Sequence, residues 1–302
     1  MTQQHSLSGR AWAELLLLSL FWGASFLSIR IALDEVGPFT SVAHRVLWGG
    51  VVLWAYVFWR RFPLPRRPSI WAAFFVMGAL NNVIPFTLMA WGQLFIESGL
   101  TSILNASTAI FGVFVAAMVF KDERLTANRF IGITLGFFGV LVAIGVENLA
   151  QFDPRSLGQL AVVGGALSYA LAGSWARVTL SDMRPEVAAA GMVGASTVMM
   201  LPLAYVIEGP MSFDLAPRTW IAILYYAVFA TAGAYLLYYR VLAMAGSGNL
   251  MLCTLIIPPI AILLGAIFLE ETLTSQAYWG FLILALGLVV LDGRIFKRFR
   301  RQ

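Results

Sequence analysis

The 302 residues are 60% apolar and 12% charged, against roughly 45–50% and 25% in a soluble domain, which excludes a soluble fold. A mean hydropathy of +0.83 over the whole length excludes a single anchor or a removable leader as the source of the apolar excess. The net charge of +5 sits mainly between apolar runs, where it sets membrane topology and gives no ground for nucleic-acid binding.

A membrane helix needs about 20 residues, and runs bounded by charge, Pro or Gly predict ten of them. In chain order the first five are about Ala11 to Leu33, Phe39 to Trp59, Ile70 to Leu94, Thr101 to Phe120 and Asn128 to Val146. The second five are about Leu157 to Leu180, Pro185 to Val206, Thr219 to Ala243, Gly248 to Phe268 and Gln276 to Phe296. Barrel strands would alternate over about ten residues, and runs such as LILALGLVVL do not. The predicted fold is an all-α membrane protein of ten transmembrane helices.

Lys and Arg favour cytoplasmic loops. An N-terminus inside puts Arg10, Arg60, Arg61, Arg66, Arg67, Lys121, Arg124, Arg129, Arg177, Arg184, Arg240, Arg294, Lys297, Arg298, Arg300 and Arg301, sixteen of the twenty basic residues, on or near the inner face. The loops holding Asp34, Glu35, Glu97, Glu147, Asp153, Glu208, Asp214, Glu270 and Glu271 then fall outside. Both termini are expected in the cytoplasm, in a multi-pass protein of the plasma (inner) membrane.

The stretch FKDERLTANRFIGITLGFFGVLV from Phe120 matches FLEETLTSQAYWGFLILALGLVV from Phe268 without gaps at Phe120/Phe268, Glu123/Glu271, Leu125/Leu273, Thr126/Thr274, Gly132/Gly280 and Gly139/Gly287. Near the start of each half, an offset of 147 aligns Trp22 with Tyr169, Arg30 with Arg177 and Pro38 with Pro185. The chain therefore reads as two related five-helix repeats, residues 1–148 and 149–302. An odd number of helices per repeat inverts the second copy, and inverted repeats place a substrate site near the midplane between the halves, with alternating access by rocking.

With the WGASF stretch at Trp22, Pro38 leading into a helix with Arg45, the fourth helix ending in Glu123-Arg124-Leu125, and its counterpart SGNLMLCTLIIPPIAILLGAIFLEETL, the chain resembles the EamA-type drug/metabolite transporters along nearly its whole length. Within that superfamily it looks most like the amino acid exporters, including the aromatic amino acid exporter type. The Pro258-Pro259 pair has Ile110 and Phe111 at the same offset in the first half, which departs from strict symmetry. The resemblance implies a bundle whose central cavity is lined by helices 1, 3, 4, 6, 8 and 9, with helices 5 and 10 serving packing.

Candidate site residues follow from chemistry at midplane depth. Thr101, Asn105, Thr108 and Gly112 share one face of helix 4, and the Asn105 amide offers both donors and acceptors to an ammonium or carboxylate. Interhelical hydrogen bonding explains the same stripe without a ligand. Cys253 stands opposite Asn105 by the repeat. Asn81 and Asn82 precede Pro85, whose missing N–H frees a carbonyl. Neighbouring residues point about 100° apart, so one of the two asparagines is expected to face the cavity. Trp22 and Tyr169, midway along helices 1 and 6, suit a flat apolar side chain, with Tyr235 and Tyr238 as further aromatics; core packing is the alternative. The set is Trp22, Asn81, Asn82, Asn105, Thr108, Tyr169, Tyr235, Tyr238 and Cys253.

Arg30, Arg177 and Arg240 lie near helix ends and are read as snorkelling anchors, and Glu14 as reaching headgroups. His44 and Arg45 lie deeper, but the resemblance puts helix 2 away from the cavity, so a structural role is expected. Small multidrug transporters of the superfamily carry an intramembrane Glu eight residues before a Lys on the first helix. Eight residues before Arg30 stands Trp22, which disfavours cation exchange of that kind.

One cysteine and two histidines, His5 and His44, support no multi-cysteine or paired His/Cys metal site, and no motif calls for a cofactor. The expected function is export of small neutral solutes, hydrophobic or aromatic amino acids above all, with the lipid bilayer as the other partner and a monomer plausible. A drug or other metabolite permease is the alternative within the class. An intramembrane enzyme would need a catalytic constellation that the sequence does not display, and a purely structural protein would not need an inverted repeat.

Overall fold

A computed structural model describes residues 8–121, 126–145, 153–250 and 252–292. His5, Glu123, Arg124, Leu125, Glu147, Arg294, Lys297, Arg298, Arg300 and Arg301, which entered the sequence reading, lie outside these. Ten helices follow one another: α1 (Gly9–Ala32), α2 (Pro38–Trp59), α3 (Pro68–Gly92), α4 (Ser98–Val119), α5 (Ala127–Ile144), α6 (Pro154–Thr179), α7 (Pro185–Glu208), α8 (Pro217–Gly246), α9 (Cys253–Leu269) and α10 (Ser275–Asp292). The first eight are long and apolar enough to cross a membrane, and α9 and α10 are shorter apolar helices. No strand occurs among the described residues.

The boundaries have local causes. Proline opens α2, α3, α6, α7 and α8, where its fixed φ suits the first turn and its missing N–H is not needed. Gly145 (φ 80°) and Gly209 (φ 87°) end α5 and α7, and Glu270 (φ 54°) ends α9 in the left-handed conformation. Two predicted spans are divided. The fourth is interrupted at Ala106-Ser107, where Ser107 Oγ donates to Leu104 O at 2.6 Å and Ser102 Oγ to Gly99 O at 2.7 Å, hydroxyls that compete with the regular ladder. The ninth, expected from Gly248, has a helical stretch ending at Leu250 beyond the non-helical Gly246 (φ 76°), and α9 proper starts at Cys253.

The repeat is visible in packing. Antiparallel α5 and α10 form an extensive pair. A Cβ on Gly132 would stand 2.8 Å from Gly287 O, and one on Gly139 would stand 2.8 Å from Gly280 O. The offset of 148 turns the contact of Gly132 with Gly287 into one of Gly280 with Gly139. A two-fold axis does that, and between antiparallel helices it relates inverted repeats. Gly136 faces Gly287 and Ile110 of the same chain, so the Gly132/Gly136 pair packs internally. Phe130, Phe138, Trp279 and Leu286 point outward from the pair, as lipid-facing side chains do.

A second repeat-related feature lies inside the bundle. In α3 the residues Ala79–Val83, and in α8 the residues Tyr225–Gly233, wind as π-helix. The offset of 147 carries the first segment into the second. Such turns occur frequently at functional sites, because the extra residue redirects side chains and releases backbone groups.

The helix starts on the face opposite the start of α1 are joined by carboxylates. Glu208, at the end of α7, accepts from Phe39 N (3.0 Å) and Thr40 N (2.8 Å) at the start of α2. Glu271, turned by the left-handed Glu270, accepts from Ser98 N (2.9 Å) and Ser98 Oγ (2.7 Å) at the start of α4. Glu35 accepts from Ala216 N (3.0 Å) before α8, and Arg155 of α6 makes a two-pronged pair with Glu97 (2.9 and 3.1 Å). All four ties join the first five helices to the second five.

Candidate functional site

The two π turns face a polar cluster between the halves. From α3, Asn82 is fully buried and donates through Nδ2 to Ser196 Oγ of α7 at 2.9 Å, while its Oδ1 accepts from Tyr235 OH of α8 at 2.8 Å. Asn81 stays half-buried and donates to the Tyr235 oxygen at 2.9 Å. Ser196 Oγ in turn donates to Met192 O at 2.8 Å. The carbonyl of Leu80 in the π turn accepts from Ser168 Oγ of α6 at 2.6 Å, as a backbone group inside lipid requires. The Asn82 side chain is thus buried and hydrogen-bonded within the protein, and Asn81 retains exposed surface.

Around the α8 turn, Thr231 Oγ1 donates to Tyr226 O five residues earlier at 2.8 Å and accepts from Arg45 Nε at 2.9 Å. The Arg45 guanidinium lies 3.7 Å above the Phe86 ring, a cation–π contact of about 0.5–2 kcal/mol. Phe86 meets Tyr169 edge-on at 6.4 Å between centroids. Tyr169, Tyr226 and Tyr235 all stand near Arg45. Arg45 therefore enters, from α2, a cluster built by α3, α6 and α8. The sequence reading gave it a structural role because the resemblance placed helix 2 away from the cavity.

The remaining candidates form two adjoining groups. Trp22 packs at a tilt on Tyr238, 5.9 Å between centroids, and Cys253 is buried in the same apolar cluster. Asn105 Oδ1 accepts from Thr108 Oγ1 at 3.4 Å across the interruption of α4, whereas Thr101 is buried and donates to Glu97 O. Trp22 joins the apolar cluster of α2, α3, α7 and α8 to that of α1, α8 and α9. Tyr169 joins the first of these to the cluster of α4, α5, α6 and α10. The repeat-related pair thus occupies the junctions between core clusters, each ring half-buried.

Arg30 pairs with Asp34 at 2.9 Å near the end of α1. Glu14 differs from expectation. It is buried and accepts from Arg10 Nε at 3.1 Å and from Arg240, tying α1 to α8 where headgroup contact was expected. No group of three His, Cys, Asp or Glu suited to a metal ion occurs among the described residues.

A family model described as the EamA-like transporter family matches residues 9–145 and 156–291. The uncharacterized transporter YoaV of Bacillus subtilis is 22% identical over 271 residues, covering 90% of this chain and 92% of its own. The probable amino-acid metabolite efflux pump of Escherichia coli is 23% identical, covering 91% and 92%. A solved crystal structure superimposes with a TM-score of 0.67 at 18% identity, covering 95% of this chain and 98% of that one, a likeness of fold.

Proposed function

The chain belongs to the EamA-like transporter family, a multi-pass membrane transporter in two repeats, and from that premise we propose that it exports small neutral solutes, hydrophobic and aromatic amino acids above all, by alternating access. The observation that carries the reading is the cluster at the two π turns. There Asn81, Tyr169 and Tyr235 keep part of their surface exposed, as Trp22 does in the adjoining group, and no described carboxylate is paired or hydrogen-bonded to them. Rings and neutral amides in a site of low dielectric suit a zwitterion with a flat apolar side chain. The name of the Escherichia coli relative supports the same class.

In this proposal residues 1–148 and 149–302 rock against each other. No enzymatic step or cofactor is invoked. Proteoliposomes loaded with labelled solutes test it: efflux of phenylalanine and leucine is expected to exceed that of glycine. Trp22→Ala removes a stacking surface worth about 0.5–1.5 kcal/mol beyond area burial, so phenylalanine transport is expected to fall several-fold more than leucine transport. Equal losses for both would remove the aromatic cavity from the proposal. Movement of lipophilic drugs alone would replace amino acids by the drug-permease reading.

The orientation proposed is both termini in the cytoplasm of the inner membrane, with the carboxylate-joined face outside, as the basic residues favour. Ser69 and Thr274 are exposed at opposite faces. As single cysteines in a Cys253→Ser background, the Thr274 variant is expected to react with an impermeant thiol reagent on intact cells and the Ser69 variant only after lysis. The reverse pattern would invert the topology.

A further inference from the structure

The buried arginine of α2 holds more hydrogen-bonding capacity than the protein uses. A guanidinium has five N–H donors and stays protonated in proteins. Among the described residues Arg45 is hydrogen-bonded through Nε alone, to Thr231, and no carboxylate pairs with it. Three other arginines within the spans are paired with carboxylates: Arg30 with Asp34, Arg240 with Glu14 and Arg155 with Glu97. Arg45 is 6% exposed, and its terminal nitrogens are not among the fully enclosed polar atoms that lack a partner, so they keep some accessible surface. Burying a cation without a counter-charge is costly.

The geometry also fixes the group. Its Cζ lies over the Phe86 ring, 3.7 Å from the centroid, and Thr231 holds Nε. The remaining fork has the shape that a carboxylate accepts in two parallel hydrogen bonds. Within the same cluster stand Tyr169 and Tyr235, and the Asn81 amide, which can accept from an ammonium through its oxygen. No described carboxylate stands there to demand one.

We infer that Arg45 is the anchor for the carboxylate of the transported solute, so that the substrate class is carboxylic acids with a large apolar or aryl group, in which the amino group is dispensable. This rests on the transporter reading above and extends its substrate from zwitterions to carboxylates that lack the ammonium group.

The test uses the purified full chain in detergent and reads the shift in unfolding temperature produced by phenylalanine, 3-phenylpropionate and phenethylamine, followed by competition of each against labelled phenylalanine in proteoliposomes. Phenylalanine and 3-phenylpropionate are expected to stabilise the protein and to compete within a few-fold of each other, with phenethylamine at least about tenfold weaker, the loss expected when a charge-assisted pair is missing. Arg45→Gln is expected to weaken both acids by about tenfold or more and to leave phenethylamine unchanged, with Arg45→Lys between. Should Arg45→Gln fail to fold, the panel on the unaltered protein decides alone. Phenethylamine matching phenylalanine, with transport intact, overturns the anchor and leaves the exporter reading standing. Neither stabilisation nor transport by any of the three overturns the exporter reading, and this inference falls with it.

Discussion

Leucine in place of Gly132 or Gly280 is expected to leave little folded protein, and to do so before any change in substrate preference is measurable. The neighbours across the α5–α10 contact are backbone atoms. A Cβ at Gly132 would stand 2.8 Å from both Gly287 O and Leu291 N, and one at Gly280 would stand 2.5 Å from Ala143 Cα. A flexible side chain yields to such an intrusion, but a helix backbone does so only by separating the pair. Overpacking costs typically about 1–3 kcal/mol, and a clash of backbone with a branched side chain belongs at or above the upper end. Membrane helices gain no hydrophobic drive on meeting in lipid, so close approach of small residues is itself the attraction that is lost. Size-exclusion yield and unfolding temperature in detergent measure the effect. A variant of normal stability with altered selectivity would instead place these glycines in the transport path.

Removing two of the carboxylates that join the halves, as Glu208→Ala with Glu271→Ala, is expected to open the face they hold closed. Each accepts hydrogen bonds from helix-start N–H groups of the opposite half. A charge-assisted bond contributes about 1.5–3 kcal/mol when enclosed. Glu208 is exposed, so about 1 kcal/mol per tie is the fairer figure after screening. Two ties of that size shift the open-to-closed ratio by up to about thirty-fold, at tenfold per 1.4 kcal/mol. Asn105, seven residues into α4 and half-buried, reports the change. As a cysteine in a Cys253→Ser background, it is expected to react with impermeant reagent at least several-fold faster when both carboxylates are gone. An unchanged rate in a well-folded double variant would mean that these ties are not what closes the face.

The ten helices and their two-fold repetition were legible because lipid forces every backbone group into helical pairing, and each span then writes itself as a long apolar run. Pro38, Pro68, Pro154, Pro185 and Pro217 open five helices, and the apolar runs alone put four of these starts slightly late, at Phe39, Ile70, Leu157 and Thr219. Asn81, Asn82 and Tyr235 were legible as polar groups at depth, though their mutual hydrogen bonds were not. The π turns left little trace. Asn-Asn and Pro85 hint at the first, while YYAVFATAG at the second holds no proline and no marker beyond one glycine. The carboxylate ties were hidden for another reason. Helix-start signals in sequence are local, whereas Glu208 reaches Phe39 from 169 residues away and Glu271 reaches Ser98 from 173. Arg45 was seen, but nothing in α2 announces that side chains of α3, α6 and α8 surround it.

The π turn of α3 also sets the phase of that helix. Its interior seam is Phe74, Gly78, Asn82, Phe86 and Ala90, all buried and spaced by four. In a regular helix of 3.6 residues per turn, each step of four drifts about 40°, so the seam would wander about 160° around the axis and lose its neighbours. One surplus residue takes back about 100° of that drift. The helix keeps a nearly straight line of contact with α6 and α7 while its sequence counts in fours. Deleting Val83 alone would remove that surplus residue and let the turn relax to regular α-helix, so that Phe86 and Ala90 stay on the seam while the turn that presents Asn81 and Asn82 is lost.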